Sequence, residues 1–357
     1  MQHLRELKNS HTIVYEGHYK MEKERDYYFD NLKAVLIFLV VLGHFLLPIH
    51  DDNFLVTLKR LIYVFHMPLF IFVSGYFSKS IYKNGRYNFE KILYFLKAYI
   101  IFVIAIQIVY ALFGYRKFSD INFFKQSGAP WYMFAMMAWY LLIPLVKKVK
   151  PALVFAVSIP LALIVGYFDA VGDVLCLSRI LVFGPFFFLG FFMDKASLAK
   201  VMNKKYRLPV VTLAVVLSAF FLKFGSRIKD EMEMVYQNIP YSDLDHYWAG
   251  PLVRLFFMAA AFIMSWAIMF FIPRGKTQIS IIGQRTMPVY MLHRLIRDIL
   301  KFCGLYDYLD EVSAFTLPLL ICLAICFTYI CAQDAPNRFI NEVLRLKLTP
   351  RISKLRK

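Results

Sequence analysis

Long apolar segments alternate with short polar ones along almost the whole chain. Nine apolar runs are each near the length of roughly 20 residues that an α-helix needs to cross a bilayer. A tenth run, residues 281–302, is interrupted by charged side chains, so its hydropathy leaves it undecided. The nine clear runs cover residues 32–48, 58–77, 92–113, 131–146, 152–168, 180–193, 208–224, 252–272 and 314–331.

The charges of the connecting segments decide whether the tenth run is a membrane span and on which side of the membrane each connection lies. Connections after the second, fourth, sixth and eighth runs are basic, whereas most of the alternate ones are acidic. The positive-inside rule places the basic set, the N-terminus and the basic tail in the cytoplasm, which requires an even number of spans. The sequence therefore predicts an all-α, polytopic membrane bundle of ten helices, with an N-terminal tail (1–26), a transmembrane domain (27–333) and a C-terminal tail (334–357).

The composition supports a membrane protein. The 357 residues are 59% hydrophobic and the mean hydropathy is +0.54, whereas a soluble domain is typically about 45–50% apolar. The formal net charge of +18 could indicate nucleic acid. In a chain this apolar, basic cytoplasmic loops explain the charge better, so membrane lipids rather than nucleic acid are the expected surroundings.

The first run carries Lys33 at its beginning and His44 near its end, with no other ionisable side chain between them. On a helix the two residues lie roughly 16 Å apart along the axis and on nearly the same face. Ionisable groups held at membrane depth are costly, and they usually mark a pathway or a reactive site. This face is therefore the first candidate for function.

Other polar residues fall in or beside later runs. His66 and His293 are expected near the middle of the membrane and Arg179 near its outer surface. Each also has a structural interpretation: a histidine can be a packing residue, Arg179 an interfacial anchor, Trp131 part of an aromatic belt and Lys33 a topology signal. The residues themselves indicate a polar path through a helical bundle and leave enzyme and transporter open.

A set of motifs resembles the membrane acyltransferase 3 family. Asp30-Asn31-Leu32-Lys33, followed by an apolar stretch ending in Gly43-His44, is similar to the family's first-helix signature, an arginine and a histidine separated by ten residues. Lys33 stands at the arginine position, and lysine cannot make the bidentate phosphate contact of arginine. The likeness covers about residues 25–331 and looks closest to the fucose 4-O-acetylase-like branch. The other motifs, in the family's order, are 65–70 with 74–76, 130–132 with Trp139, 179–190 and 282–293.

The resemblance implies an enzyme of the bacterial cell membrane that takes an acyl group, usually acetyl, from cytoplasmic acyl-coenzyme A. The acceptor would be a hydroxyl of a carbohydrate or a lipid-linked glycan on the outer side. His44 is the expected general base, an acyl-enzyme on His44 is the alternative, and no metal is expected. The other site candidates are Lys33, Ser74, Tyr76, Lys79 and Arg285 for the donor, with Lys33 also counted as catalytic, and His66, Trp131, Arg179 and His293 for the acceptor.

Two other functions stay open on the sequence. A glycolipid or acyl-group transporter or flippase could use the same polar column without chemistry, and the chain could be an inactive partner subunit of a polysaccharide export complex. The broken-helix inverted repeats typical of many secondary transporters are not evident, which favours the enzyme. Neither the acceptor nor the choice between acetyl and a longer or charged acyl group follows from the residues.

Overall fold

The computed structural model describes residues 25–50, 52–125, 128–311 and 313–345. The predicted tails therefore lie largely outside the described residues. Almost every described element is helical. The helices are α1 (Tyr27–Phe45), α2 (Asn53–Tyr76), α3 (Phe89–Leu112), α4 (Trp131–Val146), α5 (Pro151–Ile164), α6 (Leu177–Phe192), α7 (Lys195–Val201), α8 (Lys204–Phe224), α9 (Lys229–Glu233), α10 (Gly250–Met269), α11 (Ser280–Gln284), α12 (Thr286–Phe302), α13 (Leu305–Glu311), α14 (Ser313–Cys331) and α15 (Asp334–Arg345).

The all-α membrane class is confirmed, but the count of ten spans is not. Five helical segments of the described chain are long and apolar enough to cross a membrane, and two bent pairs raise the number to seven. α6 and α7 meet at 109°, and the later part of α14 meets α15 at 62°. α4 and α5 are apolar but shorter. The five segments are Tyr27–Phe45, Asn53–Ser80, Phe89–Leu112, Lys204–Phe224 and Tyr247–Met269.

The tenth predicted run is divided at Arg285 into α11 and α12. On α12 the side chains of His293, Arg297 and Asp298 are buried, whereas Ile299 is exposed. Three of the ionisable residues that lower the hydropathy of this run are therefore buried within the bundle. Burial of ionisable groups toward the interior of a bundle is the arrangement expected at membrane depth.

α1 is the central helix, packed against α2, α11, α12 and α14. Leu32, Leu36 and Ile37 have no exposed surface, and most other residues of α1 are buried as well. α8 is at the opposite extreme, because only Ala214 and Phe221 of its 21 residues are buried. An apolar helix with so little internal packing presents its side chains to lipid.

α2 and α6 cross at two glycines. A Cβ atom on Gly75 would overlap the carbonyl oxygen of Phe187, and one on Gly190 would overlap the carbonyl oxygen of Phe72. Small residues allow helix backbones in membranes to approach this closely. The crossing fixes α2 and α6, both of which carry candidate site residues, against each other.

Between α2 and α3 the chain forms a small hairpin of β1 (Tyr82–Lys83) and β2 (Arg86–Tyr87), paired antiparallel. The turn residues Asn84 and Gly85 both have positive φ. Asn-Gly is the sequence that favours this two-residue turn, since both central positions need left-handed backbone. The hairpin makes one of the predicted basic connections a compact element.

Arg254, which has no exposed surface, anchors the connection between α8 and α10 to the helix bundle. Its guanidinium donates to the carbonyl oxygens of Ala162 at 3.1 Å and Ile239 at 3.0 Å. It also lies over the ring of Tyr241, whose hydroxyl donates to the carbonyl oxygen of Leu163 at 2.6 Å. Arg254 therefore joins α5, α10 and this connection, and it is a structural residue.

Candidate functional site

His44 lies in the last turn of α1 and borders a cavity of about 90 Å³, called here the His44 cavity. The wall comes from α1, α2, α4, α6, α12 and the segment that follows α9. It combines an imidazole, two guanidinium groups and aromatic rings. The lining residues are His44, Leu47, Tyr63, Met67, Gly128, Ala129, Trp131, Arg179, Phe183, Val235, Tyr236 and Arg294.

Three histidines from α1, α2 and α12 lie close together at this cavity: His44 is part of its wall, and His66 and His293 lie behind it. The rings of His44 and His293 are 5.0 Å apart between centroids and nearly perpendicular, at 75°. Tyr63 lies between His44 and His66, with its ring centroid 6.2 Å from that of His44 and 4.8 Å from that of His66. His66 and His293 are almost completely buried and are not among the described residues that line the His44 cavity.

Two guanidinium groups face the cavity from different helices. Arg179 donates through Nε to the carbonyl oxygen of Tyr236 at 3.1 Å and pairs with Asp173 at 3.4 Å. Arg294 donates through Nε to Asp298 at 2.9 Å. Hydrogen-bond donors held in a site that excludes water can stabilise a developing negative charge strongly.

Aromatic rings complete the wall. Trp131 is stacked on Phe183 with centroids 5.2 Å apart, and the guanidinium carbon of Arg179 lies 5.6 Å from the Trp131 ring centroid. Burial raises the pKa of the Tyr236 hydroxyl above its usual value, so this group stays protonated at neutral pH. The cavity therefore offers flat faces as well as donors, a combination that suits a polar ring.

The other end of α1 carries a second group of residues, called here the lysine cluster: Asp30, Lys33, Tyr76, Phe77 and Lys79. Lys33 pairs with Asp30 at 3.0 Å, and its Nζ lies 5.8 Å from the Phe77 ring centroid. Lys79 donates to the carbonyl oxygen of Met193, and its Nζ lies 4.7 Å from the Tyr76 ring centroid. The structure thus brings Lys33, Tyr76 and Lys79 together at one end of α1.

Beside the lysine cluster is a groove of about 240 Å³ that has two further cations in its wall, Lys195 and Arg274. Tyr76 belongs to both, and it stacks on Phe29 with centroids 4.6 Å apart. Cationic side chains next to the half-buried ring of Tyr76 and the exposed ring of Phe77 form a surface that suits a phosphorylated nucleotide.

Two other donor candidates make different contacts. The hydroxyl of Ser74 donates to the carbonyl oxygen of Phe70 and lies 2.7 Å from the hydroxyl of Tyr132, between α2 and α4. Arg285 donates to the carbonyl oxygen of Ala332 at 3.0 Å and pairs with Asp334. The contacts of the Arg285 guanidinium are therefore with the corner between α14 and α15.

The structure thus gathers His44, Trp131 and Arg179 in one cavity, and it adds three residues absent from the sequence-based site. Tyr63 is one turn before His66 on α2, and Arg294 directly follows His293 on α12. Because Arg294 is a cation directly beside a predicted intramembrane histidine, the sequence could have indicated it as a site residue. The third addition, Tyr236, comes from an irregular connection, and helix periodicity gives no signal for it.

The fold and the site together define a helical membrane protein with a small polar cavity at one end of its central helix and a cationic cluster at the other. The acyltransferase 3 family model, described as an acyltransferase domain, matches residues 26–333. The chain therefore belongs to the acyltransferase 3 family, which confirms the resemblance seen in the motifs.

A shorter similarity connects the chain to a curated protein. The nodulation protein NolL of Sinorhizobium fredii (strain NBRC 101917 / NGR234) is 48% identical over 60 residues. That stretch is 16% of this chain and 16% of NolL, so the chain matches less than a fifth of that relative's length. No solved structure matches the chain.

Proposed function

We propose that this protein is a membrane-bound O-acyltransferase that moves an acyl group, most simply acetyl, from acyl-coenzyme A to a hydroxyl of a carbohydrate or lipid-linked glycan. The observation that carries the proposal is the composition of the His44 cavity: an imidazole, two guanidinium groups and aromatic rings in one wall. Membership of an acyltransferase family supports the same chemistry.

His44 acts as the general base in this scheme. A sugar hydroxyl has a pKa far above 7, so its attack on a thioester is accelerated when an imidazole removes the proton. The hydroxyl oxygen forms a bond to the acyl carbon while its proton passes to His44. The carbon–sulfur bond then breaks, and the coenzyme A thiolate takes the proton back from the imidazolium.

The guanidinium groups of Arg179 and Arg294 supply the electrostatic part of the scheme. During the attack the carbonyl oxygen of the acyl group gains negative charge, and donors already fixed in place stabilise it without reorganising. Both arginines are anchored by carboxylates, Asp173 and Asp298, so their positions are set before substrate binds. Trp131, stacked on Phe183, provides a face for the acceptor ring.

The lysine cluster and its groove are the proposed donor site. The phosphates of coenzyme A are polyanionic, and Lys33, Lys79, Lys195 and Arg274 lie where they could be bound. Roughly 16 Å of helix separates Lys33 from His44, so the long pantetheine arm would carry the thioester from one end of α1 to the other. Ser74 and Tyr132 lie between the two ends.

We infer from the basic connections that the lysine cluster faces the cytoplasm and that the His44 cavity lies toward the outer side of a bacterial cell membrane. Acyl donor and glycan acceptor would then enter from opposite sides. This arrangement requires both termini to be cytoplasmic, and accessibility labelling of single cysteines introduced near Lys83 and near Asp245 tests it directly.

The deciding experiment measures release of free coenzyme A from acetyl-coenzyme A by purified protein, with and without a crude extract of surface glycans. The wild type is expected to release the thiol, faster with glycans, and His44→Ala is expected to lose this activity while staying folded. His246→Ala, which removes an exposed imidazole from the connection before α10, is the matched control. If the wild type leaves the thioester intact but moves a glycolipid across sealed vesicles, the protein is a transporter and the proposal fails.

A further inference from the structure

His293 is buried and yet lies next to the proposed base. Its ring comes from α12, that of His44 comes from α1, and the centroids are 5.0 Å apart at an interplanar angle of 75°. His293 has no exposed surface and is not part of the described lining of the His44 cavity. It is therefore placed to act on His44 rather than on a substrate.

The hydrogen bond within α12 sets the tautomer of the neutral His293 ring. Its Nδ1 lies 2.8 Å from the carbonyl oxygen of Val289, four residues earlier. A carbonyl oxygen can only accept, so Nδ1 carries the proton and Nε2 of the neutral ring has a free lone pair. The orientation of α12 thus presents a hydrogen-bond acceptor to the interior.

The two facing rings have complementary unpaired atoms. Among the described residues, His44 Nδ1 and His293 Nε2 are both buried without a hydrogen-bond partner. A buried polar atom left unpaired is costly, and native proteins pair almost all of them. Centroids 5.0 Å apart bring two ring nitrogens to about 2.9 Å, a hydrogen-bond distance, when each ring turns one nitrogen toward the other.

We propose that His293 is a positioning residue that accepts a hydrogen bond from Nδ1–H of His44. The bond would hold the proton of His44 on Nδ1, so that the lone pair of Nε2 faces the cavity. This assignment rests on the proposed function, in which His44 is the base. It differs from a role in binding the acceptor, because His293 would touch neither substrate.

A neutral partner suits this position. In many hydrolases a carboxylate orients the catalytic histidine. Here the carboxylates next to the cavity, Asp173 and Asp298, are engaged by Arg179 and Arg294. A second imidazole orients His44 without adding another charge to the interior of the membrane. During transfer the hydroxyl proton passes to His44 Nε2 and then to the leaving thiolate, while the Nδ1 proton stays in its bond to His293.

Two substitutions at His293 separate this role from a structural one. His293→Gln keeps an amide oxygen near the position of Nε2, whereas His293→Phe fills the ring volume without an acceptor. In metal sites, loss of the partner that orients a ligating histidine typically costs about 10- to 100-fold, and by analogy we expect kcat of His293→Phe to fall by a factor of that order with little change in KM for donor or acceptor. We expect His293→Gln to recover much of kcat. A raised KM for the acceptor with unchanged kcat, or equal kcat in both folded variants, would overturn the assignment.

A second measurement is independent of activity. In protein labelled with ¹⁵N at its histidines and placed in nanodiscs, the His44 Nδ1–H signal should show coupling to a nitrogen acceptor. The coupling should disappear in His293→Phe and persist in the control His246→Ala. If the wild type is inactive but shows the coupling, the proposed function is refuted and the hydrogen bond between His44 and His293 is supported. If the wild type is active but shows no coupling, the hydrogen bond between His44 and His293 is refuted and the acyltransferase activity is supported.

Discussion

Asn31 connects the start of α1 to residues 273–280, which lead into and begin α11, through four hydrogen bonds. Its amide nitrogen donates to the carbonyl oxygens of Pro273 at 2.9 Å and Gly275 at 2.8 Å. Its amide oxygen accepts from the hydroxyls of Thr277 at 2.6 Å and Ser280 at 2.7 Å. The side chain is completely buried. We expect Asn31→Ala to destabilise the protein more than most single substitutions.

The magnitude follows from the four bonds. Each buried hydrogen bond contributes a net of about 0.5–1.5 kcal/mol, so four contribute roughly 2–6 kcal/mol. Because one side chain makes all four, the lower half of that range applies, about 3 kcal/mol. For a large domain, a loss of this size lowers the melting temperature by about 2 °C per kcal/mol, or roughly 6 °C in total.

Tryptophan fluorescence during thermal unfolding in detergent, at one fixed scan rate, measures this shift. Ser218→Ala is the matched control, because the Ser218 hydroxyl only bonds back to the carbonyl oxygen of Ala214 within α8. Asn31→Asp keeps the two accepted bonds but points a carboxylate oxygen at two carbonyl groups, so it should be at least as unstable as Asn31→Ala. A melting temperature of Asn31→Asp equal to that of the wild type would refute the hydrogen-bond account.

Three further outcomes are expected. Lys33→Ala should raise KM for acetyl-coenzyme A about tenfold by removing a charge from the donor site, whereas Lys33→Arg should retain most of the affinity; equal, unimpaired binding in both would exclude Lys33 from that site. Arg179→Ala should lower kcat, because Arg179 stabilises the developing oxyanion, and any change in KM should concern the acceptor more than the donor; a defect confined to KM for the donor would contradict the proposed orientation. Gly190→Ala should cost about 1–3 kcal/mol or more in thermal unfolding, because its Cβ would overlap the carbonyl oxygen of Phe72, whereas Gly275→Ala has open space and should leave the melting temperature unchanged.

The class of fold could be predicted from the sequence because a bilayer imposes a simple rule. Runs such as 92–113 and 208–224 are predominantly apolar, and each corresponds to a single helix, α3 and α8 respectively. The number of membrane-spanning helices was harder to predict from the sequence. α6 ends at Phe192 and the chain bends by 109° into α7, and hydropathy carries no information about such a bend.

The candidate site also contains residues that the sequence indicates and residues that only the folded structure reveals. Lys33 and His44 could be found because both lie on one helix, where spacing converts directly into distance. Tyr63, Tyr236 and Arg294 reach the His44 cavity from three separate segments, and only tertiary packing brings them together. Arg285 shows the reverse case, because its charge suggested a donor contact while its hydrogen bonds join it to the residues around Ala332 and Asp334.

The glycine crossing of α2 and α6 has a mechanical consequence. At Gly75 and Gly190 backbone faces backbone, so no flexible side chain is present at these points to absorb sliding or rotation of one helix past the other. We therefore expect the two helices to move as one unit, carrying Tyr63, Arg179 and Phe183 with them. Any opening that admits a substrate to the His44 cavity would therefore involve the other walls, formed by α1, α4, α12 and the segment after α9.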